Sequence, residues 1–469
     1  MEASAIGFVL ILLAVVAGQW VSHSPQWAPV FTLTGTTLAA VVIVYGFAAS
    51  ALPVWLLLAP RDYLSAFIKV GVVLVLAAGI FLVRPTIHMP ALTRFTDGTG
   101  PVFAGTIFPF CFITIACGAI SGFHALISSG TTPKLLTRES DARLVGYGSM
   151  LMESFVGVMA MVAACALEPG VYFAINSPAG IVGATAEQAA STISGWGFPL
   201  DPAAMHQLAR SVGEETLLNR TGGAPSLAVG MAHIFSRTLG GDRLLGIWYH
   251  FAIMFEALFI LTVLDAGTRV GRFMVQELLG RVVPGLAHSG SWTSTLVTSA
   301  VIVGAWGYFL YQGVLDPLGG INSLWPLFGI ANQILASVAL VVATTILIKM
   351  GKRRYLWVTL LPMAWLVTVT LTGSWQKIFH ESPRIGFLAQ ARALEQQVAD
   401  GRVAPEKVAD TRHLIFNNRL DAAVTGFFAL LILALLVEAG TGWYRILTGR
   451  ATARLTETRY VRTKWAESS

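Results

Sequence analysis

Apolar residues run along this chain in blocks of membrane length, separated by short polar turns. Taking about 20 residues per crossing, ten blocks emerge. They lie near 4–22, 37–58, 64–83, 104–128, 145–166, 247–265, 293–313, 325–349, 353–373 and 420–441. The pattern predicts an all-α polytopic membrane protein, because a helix satisfies all of its own backbone in lipid. Two connections are long, 167–246 and 374–419. The second contains ARALEQQVADGRVAPEKVAD and predicts a polar helical hairpin rather than a crossing. One block differs from the rest. FPFCFITIACGAISGFHALISSGTTPK, Phe108 to Lys134, is broken near its middle by Gly118, Ser121, Gly122 and His124. Backbone freed from a helix at bilayer depth is tolerated where it lines a cavity or a solute site.

Composition agrees with a membrane protein: 55% hydrophobic residues, 12% charged, mean hydropathy +0.68. The net charge of +6 sits in loops and tail, so it speaks of topology before any nucleic-acid partner. Loops and ends on one side carry Arg61, Lys134, Arg138, Arg143, Arg269, Arg272, Arg281, Lys349, Lys352, Arg353 and Arg354, and the tail adds six more basic residues. Short loops on the other side carry only Arg84 and Arg94. The positive-inside rule then predicts both termini and the basic tail, 446–469, on the cytoplasmic side, with the two long connections opposite. Cys111, Cys117 and Cys165 lie in apolar runs and read as buried free thiols, with no CxxC or Cys/His spacing for a metal. No dinucleotide fingerprint, phosphate loop or Ser/His/Asp motif is present, so neither a cofactor nor an enzymatic activity is expected. The chain enters its first block directly after Met1-Glu2-Ala3-Ser4, without the basic start of a signal peptide. It reads as beginning partway through a larger membrane domain.

Several residues carry possible chemistry. Ser121, His124 and Ser128 fall at i, i+3 and i+7, on one helical face with Gly122 in the break. Facing a cavity, they can bind a cation or a carboxylate, and His124 can relay a proton. The other reading makes Gly118 to Gly122 a small-residue seam for helix packing. Ser129 to Lys134 reads as a gate or as an ordinary helix exit. Glu153 and Glu256 each lie several residues inside a block, where a carboxylate is costly and often carries protons. The structural alternative is a carboxyl neutralised by a neighbour. Asp265 and Arg269, spaced i, i+4, predict a local ion pair. Pro53 interrupts a block, Pro60-Arg61-Asp62-Tyr63 makes a corner, and Pro326 opens a block bearing Asn332 and Gln333. That amide pair can bind substrate or bridge helices. Trp20, Trp27, Trp306, Trp325 and Trp375 read as an interfacial belt.

At these residues the chain resembles the carbon starvation protein A (CstA) family. The resemblance runs through SPQWAP, LPVWLLLAPRDYLS, DGTGPVF, FITIACGAISGFHALISSGTTPK, MLMESFVGVMA, EPGVYFAINSP, GGAPSLAVGMA, WYHFAIMFEALFILT, DPLGGINSLWPLFGIANQ and FNNRLDA, from about Trp20 to about Thr425. It implies a bacterial inner-membrane secondary transporter for short peptides or small carboxylates such as pyruvate, used when carbon runs short. A proton or Na⁺ would be the coupling ion. It also implies a LeuT/APC-like inverted repeat with discontinuous helices. Ser121, Gly122, His124, Ser128, Asn332 and Gln333 would line the substrate path, and Glu153 and Glu256 would couple protons. Family members carry a further N-terminal block of spans with a GAGP-type segment, which this sequence lacks. The alternative expectation is therefore a non-transporting membrane fragment, sensor or scaffold.

Overall fold

Where apolar blocks alternate with polar turns, the computed structural model has helices, and among the described residues it has no strand. The structure describes residues 2–22, 24–115, 118, 120–286, 291–315 and 324–453. Cys117, the 316–323 part of the DPLGGINS motif and the basic residues Arg454, Arg459, Arg462 and Lys464 lie outside them. Among the described residues, seven helices are long and apolar enough to cross a membrane, with two shorter apolar segments, Ala5–Gly18 and Gly35–Ala51.

Two compact units divide the chain. The first comprises Met1–Ala119 and Leu126–Phe328, the second Ile120–Ala125 and Gly329–Ser469. The first begins with α1 (Glu2–Ser22), α2 (Gly35–Ala51), α3 (Leu58–Val83) and α4 (Ile107–Thr114). α2 opens on Thr34, whose hydroxyl accepts from the Thr37 amide, and closes at Leu52, extended at ψ 153°. Pro53 explains that ending, since the residue before a proline is pushed out of the helical region. The interrupted stretch resumes as α5 (Gly122–Gly130), of which residues 122–125 belong to the second unit, followed by α6 (Ser149–Cys165). Shorter helices come next, among them α7 (Pro169–Asn176), α8 (Ala186–Gly195), α9 (Pro202–Val212) and α10 (Ala224–Thr238). α11 (Leu245–Val282) and α12 (Trp292–Leu315) complete the unit.

The long connection 167–246 is a helical body. α10 packs against α3, α6, α7 and α11, and it is buried all round through Ala228, Val229, Met231, Ala232, Ile234 and Phe235. At Gly230 a side chain would meet the Ala163 carbonyl at 2.3 Å, so the α10 and α6 backbones approach as only glycine allows. α12 lies on α2 and α11, with Trp306 pressed over Gly46.

The second unit holds α13 (Leu324–Lys349), α14 (Leu356–Phe379), α15 (Phe387–Ala399) and α16 (Val408–Leu447). Hydrogen bonds tie the long helices: Thr344 to Thr359 at 2.8 Å, Thr370 to Gln333 at 3.2 Å, and the Trp443 indole to Thr345 at 2.8 Å. The expected polar hairpin forms between α15 and the first turns of α16. Its Phe387 and Ala422 cluster with Ile378 of α14, and Arg419 pairs with Glu395 at 2.5 Å.

Candidate functional site

The break in the 104–128 block is real. α4 ends at Thr114 and α5 starts at Gly122. A restarting helix leaves its first amide groups without intrahelical partners. Two side chains answer them. The Ser121 hydroxyl accepts from the His124 amide at 3.4 Å, the geometry of an N-cap serine. The Asn332 Oδ1, on α13, accepts from the Phe123 amide at 2.8 Å and from the Ser121 hydroxyl at 3.3 Å. Asn332 is only 3% exposed, and its Nδ2 donor is buried with no hydrogen-bond partner. Close approach makes this cap possible. A Cβ on Gly122 would fall 2.1 Å from the Asn332 carbonyl and 2.5 Å from the Ala336 nitrogen.

Ser121, Gly122 and Asn332 therefore meet at one point inside the second unit. Gln333 faces elsewhere, accepting from Thr370 on α14. His124 and Ser128 are exposed on α5. In the first unit, Glu153 on α6 and Glu256 on α11 are half-buried, and their helices both pack on α10.

A second polar centre surrounds the α2 break, within the first unit. Asp265 on α11 is fully buried. Its Oδ2 accepts from the Tyr45 hydroxyl at 2.9 Å and pairs with the Arg61 guanidinium at 2.5 Å. Arg61 also donates to the Tyr45 oxygen, to Thr262 at 2.8 Å and to Asp62 at 3.1 Å. Lys69 donates to the same Thr262 hydroxyl. The expected Asp265–Arg269 pair does not form. Arg269 instead donates to the Ala49 and Leu52 carbonyls, both at 2.7 Å, and Arg272 to the Ser50 carbonyl at 2.8 Å. Two buried guanidinium groups thus cap the carbonyl end of α2, where the helix dipole favours positive charge. Local spacing lost to partners more than 200 positions away in sequence.

Tyr45, Asp62, Lys69, Thr262 and Arg272 were not among the residues singled out for chemistry. Lys69 carried a signal all the same: a lysine inside the 64–83 block marks function by default. Tyr45 and Thr262 carried none, being ordinary in apolar helices.

A cavity of about 460 Å³ opens at the other end of α3, lined by Val83, His88, Glu168, His233, Ile234 and Arg237. His88 and Glu168 pair there at 3.2 Å. Along the helix this is about 33 Å from Arg61, counting 22 residues at 1.5 Å each. The DGTG segment proves to be a turn: Asp97 accepts from the Thr99 hydroxyl at 2.7 Å and amide at 3.0 Å. These bonds hold its carboxyl below the usual carboxylate range.

The profile of the family described as carbon starvation protein CstA matches residues 1–373. The chain belongs to the CstA family. Among curated CstA relatives, the peptide transporter CstA of Escherichia coli (strain K12) is 55% identical over 429 residues, covering 90% of this chain and 61% of that protein. The pyruvate/proton symporter BtsT of the same strain is 47% identical over 469 residues, covering 95% of this chain and 65% of that protein. The peptide transporter CstA of Campylobacter jejuni (serotype O:2) is 49% identical over 481 residues, 98% of this chain and 68% of that protein. The chain thus spans under two thirds of the length of the two Escherichia coli relatives. No solved structure matches the chain.

Proposed function

We propose that this chain forms the solute-handling part of a CstA-type secondary transporter for short peptides or small carboxylates such as pyruvate, driven by protons. The observation that carries this reading is the capped break at Ser121. The unpartnered Asn332 Nδ2 supplies a hydrogen-bond donor, and the positive end of α5 a favourable field, at one place inside an apolar stretch. A carboxylate is the ligand such donors select, and pyruvate and a peptide C-terminus share that group. Ser121, Gly122, His124, Ser128, Asn332 and Gln333 are the proposed substrate path. Glu153 and Glu256 are the proposed proton carriers, since intramembrane carboxylates of this kind mark proton relays. The names of the relatives support both substrate classes and the proton as driving ion.

The topology that goes with this reading has ten crossings in a LeuT/APC-like inverted repeat, in a bacterial inner membrane, with both termini cytoplasmic. The block broken at Ser121 and the α2 break at Pro53 are its discontinuous helices. The test is uptake of labelled pyruvate and of a labelled dipeptide, by cells lacking their own carriers and expressing this chain, with and without a protonophore. Protonophore-sensitive uptake of either is expected. No uptake, with the protein confirmed in the membrane, overturns the reading in favour of a non-transporting fragment, sensor or scaffold.

A further inference from the structure

Asp265 stands apart from Glu153 and Glu256. Those two are half-buried, whereas the Asp265 side chain is 0% exposed. One of its oxygens, Oδ2, holds Tyr45 and Arg61 together, while the buried Oδ1 has no hydrogen-bond partner. A buried acceptor normally has a partner, and each exception calls for an explanation. Arg61, meanwhile, already touches a second carboxylate. Asp62 lies 3.1 Å away, with its side chain 39% exposed against 19% for Arg61.

This arrangement keeps Arg61 beside a carboxylate in two protonation states. Neutralising one member of a buried ion pair ordinarily strands the other charge, which is why such pairs resist titration. Here Asp62 is in place to keep Arg61 compensated. We infer that Asp265 is a proton-binding site whose protonation hands Arg61 to Asp62 and loosens the Tyr45 attachment of α2 to α11. A proton from water forms an O–H bond at Oδ1, the carboxylate becomes a neutral carboxyl, and the positive charge of Arg61 is then matched by Asp62 alone. The charged and titratable groups acting on Asp265 are Tyr45 from α2, Arg61 and Asp62 from α3, and Arg269 one turn along α11. Lys69 from α3 also acts on Asp265 and Asp62 by charge, and donates to Thr262. Among the described residues, α1, α9, α10 and α12, which also pack on α11, add no charged group to that set.

The consequence lies at the α2 break. Tyr45 belongs to α2, and Arg269 and Arg272 hold the α2 carbonyl end from α11. Weakening the Tyr45–Asp265–Arg61 knot loosens one of the two attachments between these helices. A ligand that biases a bistable contact is the general form of such a switch. That the switch couples protons to solute rests on the transport reading; that Asp265 titrates does not.

The test is an infrared pH titration of the purified chain in lipid bilayers. As pH falls, the carbonyl band of a protonated carboxyl in a dry environment is expected in the wild-type chain. One component of it should be lost in Asp265→Asn and retained in Glu153→Gln and Glu256→Gln, whose own carboxyls account for separate components. The same band in Asp265→Asn as in the wild type overturns the proposal. If Asp265→Asn alone misfolds, Asp265→Asn/Arg61→Gln leaves no stranded guanidinium and carries the same comparison. In uptake experiments Asp265→Asn should still exchange solute across the membrane but lose at least tenfold in protonophore-sensitive accumulation. Undiminished accumulation refutes the coupling role. A wild-type chain that takes up nothing refutes the transport reading instead, and the infrared result still decides Asp265.

Discussion

Replacing Gly122 with alanine adds one methyl group at the point where α5 meets α13. The added carbon would sit 2.1 Å from the Asn332 carbonyl oxygen, 2.3 Å from the Leu335 Cβ and 2.5 Å from the Ala336 nitrogen. Ordinary contact begins near 3.4 Å, so the two segments must part by roughly an ångström. Two of the three neighbours are backbone atoms, which have no rotamer to escape into. Overpacking of this kind costs about 1–3 kcal/mol. Parting also stretches the Phe123–Asn332 bond beyond hydrogen-bonding length and leaves a second buried polar group unsatisfied, worth about 1–3 kcal/mol more. The sum is about 4 kcal/mol at the middle of these ranges, on the order of 1,000-fold in the folded-to-unfolded ratio. Denaturant unfolding of the purified chain in detergent measures it directly. Gly304→Ala is the control, because nothing lies within 4 Å of its added carbon. On helix propensity it should be neutral or stabilising by about 0.5–1 kcal/mol. Equal midpoints for Gly122→Ala and the wild type would show that the close approach does not exist.

Three further changes probe other contacts. Asn332→Leu removes the acceptor for Phe123 and Ser121, so it should cost about 1–3 kcal/mol in the same unfolding assay and abolish any solute uptake. Arg269→Met deletes two charged hydrogen bonds to the α2 carbonyls. At about 1.5–3 kcal/mol each, it should lower the unfolding midpoint more than loss of any exposed arginine, with Arg281→Met as comparison. Gly46→Ala places a carbon 2.5 Å from the Trp306 ring and should destabilise by about 1–3 kcal/mol. Adding Trp306→Phe should recover most of that loss, since the smaller ring vacates the contact and removes a buried indole N–H that has no partner. A double-mutant cycle with no coupling between the two positions would contradict the packing.

Hydropathy made the long helices legible, and glycine and serine marked the break at Ser121, because both signals are local. The body between Leu167 and Gly246 was not legible as one. Its helices are shorter than a crossing, and α10 owes its burial to neighbours on four sides rather than to an apolar stripe of its own. α11 shows the reverse failure. Asp265, Arg269 and Arg272 ended the apolar block at 265, yet the helix continues to Val282 because each of those charges finds a partner inside the protein. Asn332 was readable as a polar residue in a crossing, and its alternative role, bridging to another segment, is the one the Ser121 and Phe123 contacts display. What no window could reveal was which residues meet: Tyr45 and Asp265 are 220 positions apart.

The cap at Ser121 also has a history in time. Phe123 and the side chain that satisfies its amide are separated by 209 residues. A ribosome adding about 5–20 residues per second reaches Asn332 on the order of 10–40 s after Phe123. During that interval the interrupted stretch has already emerged, with the first amides of α5 lacking their trans acceptor. The described helices α4 and α5, eight and nine residues long, are each too short to hold a place in lipid alone. Biogenesis of this segment is therefore a waiting step: it can settle only after α13 has been made, and whatever shelters it until then is as much a requirement of the fold as the contacts it finally makes.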